Sequence, residues 1–161
     1  MRNEGNLPLF SLTVVMAFLA ANSASAQTPA DIAESWGLLG RWAAQCDKPP
    51  SRANTFYGYR REATSLRYII ESGSGDPLSP YAQTAIDSAK LLPEGLIETR
   101  MRFGKSAEVF TTQIAKSADG RIRVMMHRGS LRGFSIQDGK ILDPAFGPPK
   151  GSSPMLARCG S

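Results

Sequence analysis

From residue 55 onward, apolar and polar residues alternate with a period of two. Residues 65–71 set Leu66, Tyr68 and Ile70 against Arg67, Ile69 and Glu71. Residues 96–103 set Ile97, Thr99, Met101 and Phe103 against Glu98, Arg100 and Arg102. Residues 121–128 set Ile122, Val124 and Met126 against Arg121, Arg123, Met125 and His127. Alternation of this kind predicts half-buried β-strands. Weaker strand patterns cover 55–62, with Tyr57 and Tyr59 on one face, and 82–91, carrying Ile86. Others cover 107–116, with Val109, Phe110 and Ile114, then 131–137, with Phe134 and Ile136 inward, and the short Ile141-Leu142. The punctuation agrees with this reading. Asp119-Gly120 and Asp138-Gly139 are hairpin signals, because both favour positive φ in a two-residue turn. Pro93-Glu94-Gly95 and Gly104-Lys105 turn the chain, and Ser72 to Pro80 reads as a loop.

Only one stretch before the strands has a helical start. Thr28 can cap, Pro29 suits the first helical position, and Asp31 meets the positive helix end. Ile32 and Trp36 give a short helix one apolar face, and Gly37 and Gly40 stop it. The predicted class is therefore all-β: one short helix, then an antiparallel meander of about eight strands. Closing the meander into a barrel removes its exposed edges. An open sheet or a sandwich is the alternative.

Composition narrows the setting. The chain has 161 residues, two cysteines, one histidine and a net charge of +5. That size suits a single domain. Residues 1–26 read as a secretory signal peptide, with Arg2 in the charged region, Leu12 to Ala21 as the apolar stretch, and Ala24-Ser25-Ala26 before the cut. The domain proper is then 27–161, with no integral membrane span and still at +5. The expected location is periplasmic or secreted. In an oxidising compartment Cys46 and Cys159 are expected to form one disulfide tying the start of the domain to its end.

Gly40-Arg41-Trp42 follows the helix at the entrance to the first strand, near Cys46. This arrangement resembles the start of the lipocalin-like (calycin) barrels. The resemblance implies a lipocalin-like barrel in which Trp36, Gly40 and Trp42 plug one end beneath the leading helix. The chain is also similar to small exported alpha-proteobacterial proteins with no assigned function. The shared features are Gly40-x-Trp42 with Cys46-x-x-Pro49, the run Asp119 to Arg123, Asp138-Gly139, and the near-terminal Cys159. Lipocalin-like barrels include periplasmic inhibitors of metalloproteases that insert an N-terminal segment into the protease cleft. By that likeness, Gln27 to Ala30 would be the inhibitory segment.

Catalytic chemistry finds little support. His127 is the sole histidine and is expected on the polar face near a strand end, with no nucleophile or carboxylate pointed out beside it. The carboxylates are scattered, without calcium-loop spacing. Ser72 to Gly75 lacks both the phosphate-loop ending and the nucleophile-elbow frame. No catalytic residue, metal or cofactor is expected. Arg100, Arg102, Arg121 and Arg123 project from the polar sides of two strands and could form a patch for an anionic partner. Nucleic acid is disfavoured by the export signal. Met101, Phe103, Val124, Met126 and Phe134 are the candidates to line a cavity, against a filled core. The expected function is non-catalytic binding by a monomer, of a small apolar or anionic ligand or an envelope component. The alternative is inhibition of a secreted protease.

Overall fold

The computed structural model describes residues 26–51, 53–72, 82–144 and 151–160. The expected signal peptide lies outside them apart from Ala26, and the expected loop 72–80 apart from Ser72. One helix, α1 (Pro29–Trp36), leads the fold. Ten strands come after it: β1 (Gly40–Ala43), β2 (Phe56–Glu62), β3 (Ser65–Glu71), β4 (Ala82–Leu91), β5 (Ile97–Met101), β6 (Phe110–Lys116), β7 (Ile122–Gly129), β8 (Gly133–Gln137), β9 (Lys140–Ile141) and β10 (Ala157–Cys159). They form one sheet in the order β10-β1-β2-β3-β4-β5-β6-β7-β8-β9, and every pairing is antiparallel. The meander is as expected, with ten strands in place of about eight. The paired strands end at β9 and β10 and do not close on each other.

Helix α1 is specified locally. The Thr28 hydroxyl accepts from the Asp31 N–H, and the Asp31 carboxylate accepts from the Thr28 N–H, so two otherwise orphaned donors are satisfied. Gly37 closes the helix in a left-handed conformation at φ 85°. Three contacts seat it across the turns at one end of the sheet. The Trp36 indole donates to the Gly95 carbonyl at 2.8 Å, in the turn between β4 and β5. The Lys116 ammonium, at the end of β6, donates to the Trp36 carbonyl and lies 4.8 Å above its ring. Arg61 in β2 pairs with Asp31 and Glu34.

The core lies between this helix and the inner face of the sheet. Ala30, Ala33, Trp36 and Leu38 pack with Trp42, Leu66, Ile86, Ile97, Met101, Ile114 and Ile122. Trp42 is 2% exposed, and its indole donates to the Leu38 carbonyl. Trp36 and Trp42 thus pack at the helix-covered end, while Gly40 turns into β1 at φ 132°. Cys46 and Cys159 form the expected disulfide.

Three irregularities break the alternation. One falls in β4 between Ile86 and Ser88. In β7, Val124 pairs with Ile114 and Met126 with Gln113, so Met125 is an extra residue. In β8, Ile136 pairs with His127 and Phe134 with Arg128, so Ser135 is extra. Each extra residue exchanges the faces of the rest of its strand.

Candidate functional site

The inner face changes character away from α1. Across β6, Lys116 touches the helix while Phe110 stands at the other end. There six rings form a connected band. Tyr68 is 6.4 Å from Tyr57, 5.2 Å from Tyr59 and 6.2 Å from Phe103, centroid to centroid. Phe103 lies edge-on to Phe110 at 5.5 Å, and Phe110 stacks on His127 at 5.5 Å with 14° between planes. These are separations at which rings attract beyond simple burial. Tyr59 is buried; the other five are half-buried. The band therefore borders the core and keeps part of its ring surface open. Burial pushes the Tyr57, Tyr59 and Tyr68 phenols above their ordinary range, so all three hydroxyls stay protonated.

A polar row adjoins the rings. Thr99 pairs across the sheet with Thr112, and Thr112 with His127. The Thr112 hydroxyl is 2.9 Å from the His127 Nδ1. Thr99 is fully buried, and its hydroxyl has no hydrogen-bond partner among the described residues. Glu108 is 3% exposed and accepts from the Arg132 N–H at 3.1 Å. It fits only because Gly129 has no side chain: a Cβ there would lie 2.1 Å from the carboxylate. Desolvation lowers the His127 pKa, and attraction to Glu108 opposes the fall.

The structure redistributes the residues expected to carry function. Met101 is 2% exposed and belongs to the core. Phe103 joins the ring band, and Val124 lies half-buried on the inner face opposite Ile114. Met126 does not face inward. The extra residue at Met125 pairs it with Gln113, whose amide donates to Glu98 on the outer face. The same bulge turns His127 inward, correcting its expected place on the polar face. Phe134 is also outward: the bulge at Ser135 sets it opposite Arg128, 42% exposed, with that guanidinium 5.1 Å over its ring.

The four arginines do not assemble into a patch. β6 separates β5 from β7, so the two strands are not neighbours. Arg102 pairs with Asp87, and Arg121 with Asp119. Arg123 donates to the Gly139 carbonyl at 3.0 Å. Arg100 is exposed at the opposite end of the sheet, in register with Thr111 and, beyond it, Arg128. The N-terminal segment is not free either. Thr28 caps α1, Pro29 begins it, and Ala30 is fully buried. Sequence reasoning placed Tyr57 and Tyr59 on one face but missed the ring band and Glu108. Its signal was aromatic residues at inward positions on four strands or their ends.

Among the described residues no cluster of three His, Cys, Asp or Glu side chains could hold a metal ion, and no helix is long and apolar enough to cross a membrane. No protein-family model matches the chain, and neither do any of the curated proteins or solved structures compared with it.

Proposed function

We propose that this chain is an exported, non-catalytic binding protein that takes a small planar apolar molecule against the inner-face rings. The observation that carries the reading is the ring band: five half-buried rings continuous with the core, beside a buried polar row. Ligand sites are mostly apolar walls with a few fixed polar groups, and this face has that composition. Closure of the sheet into a lipocalin-like barrel is part of the proposal. It is supported by the last segment, which bridges Ser152 to Lys140 of β9 and Leu156 to Ile122 of β7 before joining β1 as β10. Export to an oxidising compartment is supported by the disulfide. The non-catalytic part rests on Thr112. Its hydroxyl stands at hydrogen-bond distance from an imidazole, as a nucleophile and its base would, but it is 6% exposed in the middle of β6.

The test uses a neutral probe, N-phenyl-1-naphthylamine, whose fluorescence rises in apolar sites. The full chain is expected to bind it saturably. Phe110→Ala and Tyr68→Ala should each weaken binding several-fold, since each removes about 0.5–1.5 kcal/mol of ring contact. Circular dichroism should show that each variant keeps its sheet. No saturable signal, or equal affinity in folded Phe110→Ala, overturns the reading.

A further inference from the structure

A second site lies beside the disulfide and borders the ring band at Tyr59. Its floor is a register row across four strands. Cys159 of β10 stands opposite Arg41 of β1, Arg41 opposite Gly58 of β2, and Gly58 opposite Ile69 of β3. Gly58 lets β2 and β3 pack closely in this row: a Cβ there would meet the Ile69 Cβ at 3.2 Å. Above the row is an open groove of about 690 Å³. Arg41 and Arg60 border it, and so does Arg158 from its register position opposite Trp42 and beside Gly40; Glu71 is the one acidic residue. The groove therefore carries a net charge of +2 from these groups.

The three guanidinium groups are unequally engaged. Arg60 is held by Glu62 at 2.8 Å. Arg41 donates from one nitrogen to Glu71 at 2.5 Å and lies 4.0 Å over the Phe56 ring, while its Nε is buried with no hydrogen-bond partner among the described residues. Arg158 has no hydrogen bond or ion pair among the described residues, although it is packed close enough to Gly40 that a Cβ there would lie 2.8 Å from its Nε. A guanidinium offers five N–H donors in a planar fork that matches phosphate and carboxylate oxygens. Two such forks with spare donors border one groove whose floor is apolar at Ile69 and Cys159.

We propose that this groove binds an oxyanion, phosphate or carboxylate, carried on an apolar body. Arg158 and Arg41 hold the head, and the body lies along Ile69. The groove meets the ring band only at Tyr59, and the +5 charge of the chain finds here the cationic surface that Arg100, Arg102, Arg121 and Arg123 do not form.

Calorimetry on the full oxidised chain tests this, with dodecyl phosphate below its micelle concentration as one probe and inorganic phosphate as the other. Saturable binding of dodecyl phosphate that weakens as salt rises is expected. Arg158→Gln should weaken it about tenfold, the scale of a charge-assisted pair. That side chain is exposed and has no hydrogen-bond or ion-pair partner among the described residues, so the fold should survive. Glu71→Gln should tighten it, because the competing carboxylate goes. Phe110→Ala, at the far end of the ring band, and Arg121→Gln on a distant turn should change nothing. Inorganic phosphate is expected to bind more weakly; if it binds as tightly, the apolar body contributes nothing and the proposal of an amphiphile falls. Unchanged affinity in Arg158→Gln, weakening in Glu71→Gln, or a loss in Phe110→Ala overturns the proposal. The last result would put the amphiphile on the rings.

Discussion

At His127 one extra residue decides which side of the sheet an imidazole occupies. Counting by twos from Ile122 puts His127 outside and Met126 inside, and Met125 reverses both. The Met125 carbonyl accepts from the Gly139 N–H at 2.8 Å, so the turn between β8 and β9 holds the bulge in place. Nothing in Val124-Met125-Met126-His127 announces this, because methionine suits either face. The same holds at Phe134, where the extra Ser135 turns an aromatic outward. Residue-scale inference of facing failed where register shifted and held where it did not, at Ile97 and Ile122, both 1% exposed or less. The inward imidazole has a measurable consequence. Its folded pKa is lowered from 6.5 by desolvation, with Glu108 opposing. The unfolded chain thus binds the proton more readily, and stability rises with pH in that window. Acidification through 6.5 and on toward the lower folded value should therefore destabilise the protein. In His127→Asn this component is absent. Urea melts at pH 7.5 and 5.5 should show a larger loss for the parent than for His127→Asn; an equal or smaller loss contradicts the assignment of desolvation as the main cause.

Elements were more legible than single side chains. A strand's alternation survives an error of one or two residues at its ends, and Asp-Gly turns mark hairpins through their backbone preference, here positive φ at Gly120, Asp138 and Gly139. The helix start was legible for a similar reason: Thr28, Pro29 and Asp31 each satisfy a need of the first turn. Strand order beyond neighbours was not legible. The idea that Arg100 and Arg123 share a patch required β5 and β7 to adjoin, and β6 intervenes. The cap also has a calculable role. α1 is eight residues long, too short to persist alone, and its Trp36 anchors it at Gly95. Thr28→Ala removes the hydroxyl that accepts from Asp31 and should cost about 1 kcal/mol in denaturant melts. Thr28→Ser, which keeps the oxygen, should recover most of it. A loss as large in Thr28→Ser would mean that the methyl group, rather than the cap, is responsible.

Over the whole molecule, residues 151–159 hold together what the meander leaves apart. Ser152 lies against Lys140, Leu156 exchanges two backbone hydrogen bonds with Ile122 at 2.8 and 2.9 Å, and β10 then pairs with β1. Its anchor on the far side is the Cys46–Cys159 bond, spanning 113 residues of sequence. Asn54 fixes the loop bearing Cys46: its side chain accepts from the Gln45 N–H and donates to the Gln45 and Lys48 carbonyls. In the chain-entropy description, a crosslink over so long a loop is worth up to about 5 kcal/mol, because it restricts the unfolded chain. It also has a local role. A three-residue strand on its own is a weak tether, so losing the bond should release the segment before the sheet melts. In the double variant Cys46→Ser, Cys159→Ser, hydrogen exchange at Leu156 and Ile122 should quicken together while β3 to β6 stay protected. Because Arg158 belongs to the released strand, dodecyl phosphate binding should fall in the same variant while binding of the neutral naphthylamine persists. If Leu156 keeps its protection, the bond acts on the unfolded chain alone and β10 is held by its own pairing.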